Sequence, residues 1–542
     1  MSIFERRGNL QSMATSTYDV VVIGAGMTGA GVALDAAARG LRVALIDAGD
    51  FASGTSSKSS KMVHGGLRYL QQREFRLVYE NLRERQRLLE NVPFLVRPLP
   101  FLIPIFGANR TASRALAKGY ATALRLYDIT GGWRIGQRYR TIPPAEALAH
   151  LPTLNRERLV TAFLYLDARG DDARVALTLV KTAVLDHGAH AVNYVRATAL
   201  THDQSGRATS VECIDECSGS TLTLAATVVV NATGVWADDV FAMSERVPSH
   251  LITPAKGVHL SVPRDRLPAN VAAVFVVPGD RRSIFVVPFE DAAYTFIGTT
   301  DTAYEGPLGD PVCTPEDVRY LLDAVNASTS SQLTSADVTG LWAGLRPLLA
   351  PKPGTHVSER TADLSRRHRV TDTGDGVVHV TGGKWTTYRQ MAEDTVNAMK
   401  PYLANLTGVR TKRLRLHGTG SWRPTTPLEQ HLYLRFGEDA CEVLALVDEN
   451  PSLGECPIQG QSYIGAEFVF AARSEMATSL IDLVTRRTRA HLHDARATLA
   501  GVDTICRMVA HEMRWSDDDC RAQVRAYRAL VEHEFSAAGL TL

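Results

Sequence analysis

The chain has 542 residues, 45% hydrophobic and 22% charged, and its 59 Lys and Arg against 58 Asp and Glu leave a net charge of +1. That length exceeds one ordinary core and predicts two or three domains. The near-zero charge excludes a general attraction to nucleic acid or anionic lipid. Seven scattered cysteines include Cys213 and Cys217, but no second pair completes a zinc site, so no metal is expected. The odd count, with no secretion signal, reads as a reducing compartment.

Residues 1–17 are polar and read as a flexible leader. An apolar strand, Asp19–Ile23, then runs into Gly24-Ala25-Gly26-Met27-Thr28-Gly29, a helix with Val32, Ala33 and Ala36 on one face, and a second strand ending on Asp47. Each part has a task in dinucleotide binding. Gly24 permits the tight turn, Gly26 lets the backbone approach a pyrophosphate, and Gly29 lets helix pack on strand. The free N–H groups of Met27 and Thr28 open the helix toward the phosphates. Asp47 lies about twenty residues on, where the fingerprint places a ribose acceptor.

A polar loop, Ala52–Lys61, follows; Arg68–Glu90 reads as an amphipathic helix with Phe75, Val78, Leu82, Leu88 and Leu89 inward. The apolar stretch after residue 93 is broken by prolines and is not one helix. At Thr227–Gly234 a β-branched strand ends in Asn231-Ala232-Thr233-Gly234, suited to a turn beneath a cofactor. Four strand-like runs, Val258–Val262, Ala273–Val277, Ile284–Phe289 and Tyr294–Thr299, predict an antiparallel substrate sheet. Val377–Val380 returns as a strand, leads into Gly382-Gly383-Lys384, and precedes a helix over Tyr388–Met399. Free N–H groups there suit the ring carbonyls of a flavin. The tail has helical periodicity in Gly465–Arg487, Asp494–Met513 and Asp517–Phe535.

Several segments carry a resemblance beyond these elements. They are Gly24–Gly29, the run from Thr55 to Leu70 (TSSKSSKMVHGGLRYL), Asn231–Trp236, Gly298–Asp301, Leu345–Leu348 and Gly382–Arg389, with Glu475-Met476 and Arg486-Arg487-Thr488 in the tail. Together they resemble the FAD-dependent, quinone-linked glycerol-3-phosphate dehydrogenases of bacteria. The resemblance implies an α/β composite of D-amino-acid-oxidase-like type: a Rossmann-like FAD domain, an inserted antiparallel substrate sheet and a C-terminal all-helical domain. The corresponding boundaries are 18–92, 166–248 and 352–403 for the FAD domain, 93–165 and 249–351 for the substrate domain, and 404–542 for the helical domain. It also implies non-covalent FAD, oxidation of sn-glycerol 3-phosphate to dihydroxyacetone phosphate with hydride passing from C2 to flavin N5, and electrons passed to membrane quinone. It places such a protein peripherally on the inner face of the cell membrane; a homodimer stays open.

That chemistry needs a base, a phosphate cradle and a flavin shell. Histidine suits the base, and the resemblance places His259 at the substrate. Arg68, Arg346 and Lys384 are the expected phosphate cations, with Arg346 alternatively polarising the C2 hydroxyl. Tyr69 stands beside Arg68 as a substrate contact, and Asp301 either bonds substrate or caps a turn. The flavin shell is expected from Thr55, Ser56, Ser57, Ser59, Lys61, His64, Gly65, Gly66, Ala232, Thr233, Gly234, Gly383, Lys384 and Thr386. Oxygen as acceptor, in a glycerol-3-phosphate oxidase, and a non-catalytic flavoprotein scaffold are the competing readings. No run of about eighteen apolar residues exists to span a membrane. Peripheral docking is therefore sought in Phe94–Arg125, where Phe101 and Ile105 stand near Arg110, Arg114 and Lys118, although the proline-broken run reads first as a buried substrate-domain core beside a solvated basic helix. The other candidate is the C-terminal Arg473, Arg486, Arg487 and Arg489, a face that is ordinarily solvated and that either pairs with acidic residues or touches anionic lipid.

Overall fold

A computed structural model describes residues 4–67, 74–107, 110–244, 251–277, 279–280, 282–290, 292–350 and 367–542. Val20, Val21 and Val22 are wholly buried, as befits a strand covered on both faces. Their strand, Thr17–Ile23, pairs in parallel with Val43–Ile46 on one side and Thr221–Asn231 on the other. Parallel pairing continues outward to His190–Val192 and to Val377–Gly382. Strands Val195–His202, Ala208–Asp215 and His368–Asp372 complete an eight-stranded sheet with antiparallel pairings. Helix Met27–Ala38 packs between helices Asp172–Lys181 and Tyr388–Ala398. Its apolar face of Ala30, Val32, Ala33 and Ala36 is buried.

A second sheet has ten strands. Ile252–Pro263 pairs antiparallel with Gly340–Leu349 and with Tyr294–Gly298; Ser283–Pro288 and Ala272–Val276 continue from there. The sheet then passes to Val96–Phe106, Leu159–Gly170 and the short strand Met62–Val63. Helices Pro427–Phe436, Ala440–Glu449, Gly465–Ser474, Ala495–Met513 and Asp517–Ala537 make up most of the C-terminal region. Their Val443, Val469, Val502 and Ile505 share one core with Val258, Leu260 and Leu341 of the second sheet.

Several elements differ from the sequence reading. Residues Arg6–Thr15, expected as part of a flexible leader, form a helix capped by Glu5 with Met13 buried. Arg6 ties that helix down, donating to Asn193 O at 3.0 Å and pairing with Asp215. The proline-broken stretch is a strand, Val96–Phe106. Pro98, Pro100 and Pro104 share one parity, so one strand edge loses donors while the other pairs with Leu159–Gly170 along its length. Phe101 and Ile105 are therefore core residues and cannot meet a membrane.

Of the helix expected over Arg68–Glu90, residues 68–73 lie outside the described residues; helix Phe75–Asn91 leaves Phe75 exposed, while Glu84 and Arg85 are buried. Partners explain this: Arg389 and Arg87 meet Glu84, and Asp167 meets Arg85 at 2.6 Å. The expected helix Gly465–Arg487 stops at Ser474, since Met476 has φ 52; a capping box of Ser479 and Asp482 starts the next turn. Arg487 and Arg489 are buried and Arg486 is half-buried in ion pairs with Asp50, Asp171 and Asp172, while Arg473 stays exposed beside Glu512, so the four do not form one solvated face.

Candidate active site

The two sheets meet along a cavity of about 1250 Å³. One wall is the glycine turn after Thr17–Ile23. Gly24 has φ +100, which favours glycine, and a Cβ there would stand 2.8 Å from Ala232 O. A Cβ on Gly29 would lie 1.7 Å from Gly24 O, so only glycine lets the helix start over the turn. Gly29 therefore sits behind the lining formed by Gly24, Gly26, Met27 and Thr28. Met27 N–H donates to Ser56 Oγ at 2.8 Å, which links helix start to serine loop. Asp47 lines the cavity and accepts from Ala25 N at 2.6 Å and Gly49 N at 2.9 Å. Burial raises its pKa to about 6 despite these bonds.

Ala232, Thr233 and Gly234 line the cavity beside this turn. Asn231 shapes them from below: its Oδ1 accepts from Thr233 N and Thr233 Oγ1, and its amide donates to Ala237 O. Across the cavity Gly383, with φ +82, precedes Lys384 and Thr386, all three in the lining. A Cβ on Gly383 would meet Met391 Sδ at 2.5 Å. Glycines whose absent Cβ atoms make the cradle, an acid at the strand end and a cavity of this size fit FAD.

The serine loop divides. Thr55, Ser56 and Ser59 line the cavity, and Thr55 Oγ1 donates to Leu345 O at 2.5 Å. Ser57 and Lys61 are buried behind it, where Lys61 Nζ donates to Ser57 O and to Asp172 Oδ1, each at 3.1 Å. His64 and Gly66 are in the lining, and the His64 ring lies 6.4 Å from that of Phe285. Gly65 stands behind: its N–H donates to Tyr127 OH at 2.9 Å and its carbonyl accepts from Asn81. Arg68 and Tyr69 lie outside the described residues.

His259 and Arg346 come from the paired strands Ile252–Pro263 and Gly340–Leu349, and both line the cavity. His259 is 2% exposed. Burial, reinforced by the charges of Lys61 and Arg346, holds its pKa well below the usual 6.5, so the ring is neutral near pH 7. Its Nε2 is 2.7 Å from Ser60 Oγ, its ring stacks on Trp342 at 4.8 Å and 7°, and Nδ1 is buried with no hydrogen-bond partner among the described residues. Arg346 forks between Asp301 Oδ1 at 3.3 Å, Thr299 Oγ1 at 3.2 Å and the carbonyls of Lys256 and Thr300. Asp301 thus orients the guanidinium. Two glycines make room for this pair: a Cβ on Gly298 would stand 2.0 Å from His259 Cδ2, and one on Gly257 2.3 Å from Arg346 Nη2.

Ser60, Trp342 and Asp172 were absent from the expected site. Only the serine run itself hinted at Ser60; strand register put Trp342 opposite His259, which no local pattern reveals.

Residues 19–389 match the family model described as FAD dependent oxidoreductase, and residues 378–520 that of the C-terminal domain of alpha-glycerophosphate oxidase. Glycerol-3-phosphate dehydrogenase 2 of Mycobacterium tuberculosis is 38% identical over 539 residues, covering 96% of this chain and 89% of that protein. The human mitochondrial glycerol-3-phosphate dehydrogenase is 33% identical over 552 residues, covering 96% and 74%. A solved structure of the Bacillus halodurans glycerol-3-phosphate dehydrogenase complexed with FAD aligns with a TM-score of 0.79 at 28% identity, covering 98% of each chain.

Proposed function

We propose the reaction from one premise: the chain belongs to the family of FAD-dependent glycerol-3-phosphate dehydrogenases. The reaction is oxidation of sn-glycerol 3-phosphate at C2 to dihydroxyacetone phosphate. Gly24, Gly26, Asp47, the serine loop, Ala232–Gly234 and Gly383 hold FAD. FAD, when bound, would supply the acceptor for the hydride, which carries both electrons from C2. His259 takes the C2 hydroxyl proton. The carrying observation is a neutral imidazole and an oriented guanidinium on adjacent strands, opening on one cavity with the dinucleotide cradle.

The ring is ready to accept because burial and two neighbouring cations disfavour its protonated form. Arg346, aimed by Asp301, and Lys384, at the start of the turn Trp385–Thr387, supply charge to the phosphate, joined by Arg68, with Tyr69 as a neutral substrate contact. The test is anaerobic mixing of the FAD-loaded protein with glycerol 3-phosphate while the flavin band is followed. Bleaching with the phosphate but not with glycerol is expected; equal bleaching by both would remove the phosphate cradle. Loss of bleaching in His259→Ala, by about 10²–10⁴-fold in rate, is expected of a general base.

For the acceptor we favour quinone at the inner face of the cell membrane. Beyond His64 the cavity lining turns apolar, through Leu67, Phe101, Ile103, Tyr165, Val274 and Phe285, and reaches Tyr120 of helix Arg110–Ile129. That helix and the following turn expose Leu116, Ile129 and Trp133 at 48%, 76% and 56%, beside exposed Arg114, Lys118 and Arg125. Apolar side chains among basic ones suit insertion to headgroup depth on anionic lipid. No helix among the described residues is long and apolar enough to cross a membrane. Ile129→Ser with Trp133→Ser should release the protein from anionic vesicles, lower quinone reduction and spare dye-linked turnover; retained sedimentation would remove this surface. Oxygen is the second acceptor, favoured by the description of the C-terminal family model; peroxide formed as fast as quinone is reduced would establish it.

A further inference from the structure

Among the described residues, none beyond Thr386 lines the cavity. The C-terminal region nevertheless sends arginines to the back of its wall: Arg486 and Arg487 to Asp50, beside Gly49, and Arg489 to the serine loop. Arg489, 3% exposed, donates from Nε to Asp171 Oδ1 at 3.0 Å and from Nη2 to the same oxygen at 2.5 Å. Nη2 also pairs with Asp172, and Nη1 donates to Ser57 O at 3.4 Å and Thr485 O at 3.1 Å. The Arg489 backbone is itself fixed, its N–H donating to Tyr463 OH at 3.1 Å.

The next layer runs forward from there. Asp172, fully buried, accepts from Ser59 N at 3.0 Å and from Lys61 Nζ at 3.1 Å, and Lys61 Nζ donates on to Ser57 O at 3.1 Å. Ser59 O accepts from Trp342 Nε1 at 3.4 Å, and Trp342 is the ring stacked on His259. Ser60, between the two fixed residues Ser59 and Lys61, sets its Oγ on His259 Nε2. The imidazole is thus placed by a loop whose backbone is bonded on its far side to one carboxylate, Asp172, and two cations, Lys61 and Arg489, with Asp171 holding Arg489 in turn.

We propose that Arg489, from the C-terminal helical region, is a positioning residue for His259, acting through Asp171, Asp172 and Lys61 on the 57–60 backbone. This rests on the reading of His259 as the base. The fork is the reason for arginine: three nitrogens serve two carboxylates and two carbonyls, which a lysine ammonium cannot reproduce. It also gives the helical region a part in the reaction without a cavity-lining residue.

The test uses full-length, FAD-loaded protein and the anaerobic rate of flavin reduction as a function of pH. Arg489→Lys should lower the limiting rate by about 10- to 100-fold, the scale for a misplaced reacting group, with KM for glycerol 3-phosphate within about twofold. Its acid limb should stay in place, because the charge is kept. Arg489→Met should show the same loss and an acid limb moved to higher pH: removing a positive charge favours the imidazolium, on which the charges of Lys61 and Arg346 also bear. Ser60→Ala should lose rate similarly, and Arg489→Lys with Ser60→Ala should lose little more than either alone. A parent-like rate in Arg489→Lys, or fully additive losses in the double variant, would overturn the proposal. If Arg489→Met fails to fold, Arg489→Lys and Ser60→Ala still decide it. Should His259→Ala itself reduce flavin at the parent rate, the base assignment fails instead, and the two failures are distinct.

Discussion

Two turns of the cavity wall, residues 57–61 and 64–66, are each held from behind by a buried carboxylate, and the holds differ in where the cation comes from. Behind Gly65, Asp167 meets Arg85 and Tyr127, 82 and 40 positions away and all before the second half of the chain. Behind Ser59, Asp172 meets Lys61, 111 positions away, and Arg489, 317 positions away. Burial raises the Asp167 carboxyl above its usual range even with Arg85 and Tyr127 beside it. Burial pulls Asp171 the same way, but Arg489 prevails and holds it below. The nearer hold fixes one turn; the distant one, through Arg489, also fastens a region with no described residue in the cavity lining. Buried pairs of this kind add little stability over an apolar core, and their worth lies in specifying geometry.

The largest effect should come from taking the carboxylate out of the distant hold. Asp172→Ala leaves Lys61 and Arg489 buried with one carboxylate fewer, at a cost of about 3–5 kcal/mol; urea unfolding checks this, and weaker FAD retention should accompany it. A loss no greater than that of a surface substitution would mean water enters and the hold is not tight. Tyr127→Phe, in the nearer hold, removes one hydroxyl from Gly65 N and Asp167. It should cost about 1–2 kcal/mol and leave the C-terminal region as resistant to proteolysis as before; loosening there would break the contrast between the holds. The smallest effect is a slope. Lys61 has its pKa lowered to about 8 by burial and by Arg489. Between there and the ordinary lysine value of about 10.4 the unfolded chain binds a proton that the folded chain does not, so stability rises with pH. Lys61→Met should flatten that rise, read as the pH dependence of the unfolding midpoint from 8 to 10.

How much of this was legible depends on range. The first nucleotide unit was readable because strand, glycines, helix and Asp47 follow one another within a few turns of chain. His259, Arg346 and Lys384 were named from motif, and the structure brings them to one cavity. Trp342 against His259 was not readable, since only strand register across two distant runs creates the stack. The strand Val96–Phe106 was obscured because three prolines mask a β pattern unless their shared parity is noticed. Acidic partners for the arginines at 486, 487 and 489 are one reading of the sequence, but which acids is not legible, because Asp50, Asp171 and Asp172 are hundreds of residues away. Charge on a helix says nothing of its partner until the tertiary fold supplies one.

Gly257 and Gly298 carry a consequence for how sequences of this kind can drift. Neither is glycine for the sake of a left-handed backbone; each is glycine because a neighbour's ring or guanidinium occupies the place of a β-carbon. Gly40 and Gly188 are the opposite case, with positive φ and open space around them. In a saturation library the second pair should accept Asn, which tolerates that conformation, whereas the first pair should reject even alanine. A substitution map would then single out Gly257 and Gly298 as functional positions although neither has a side chain to do chemistry: they are the imprint that His259 and Arg346 leave on the opposing backbone.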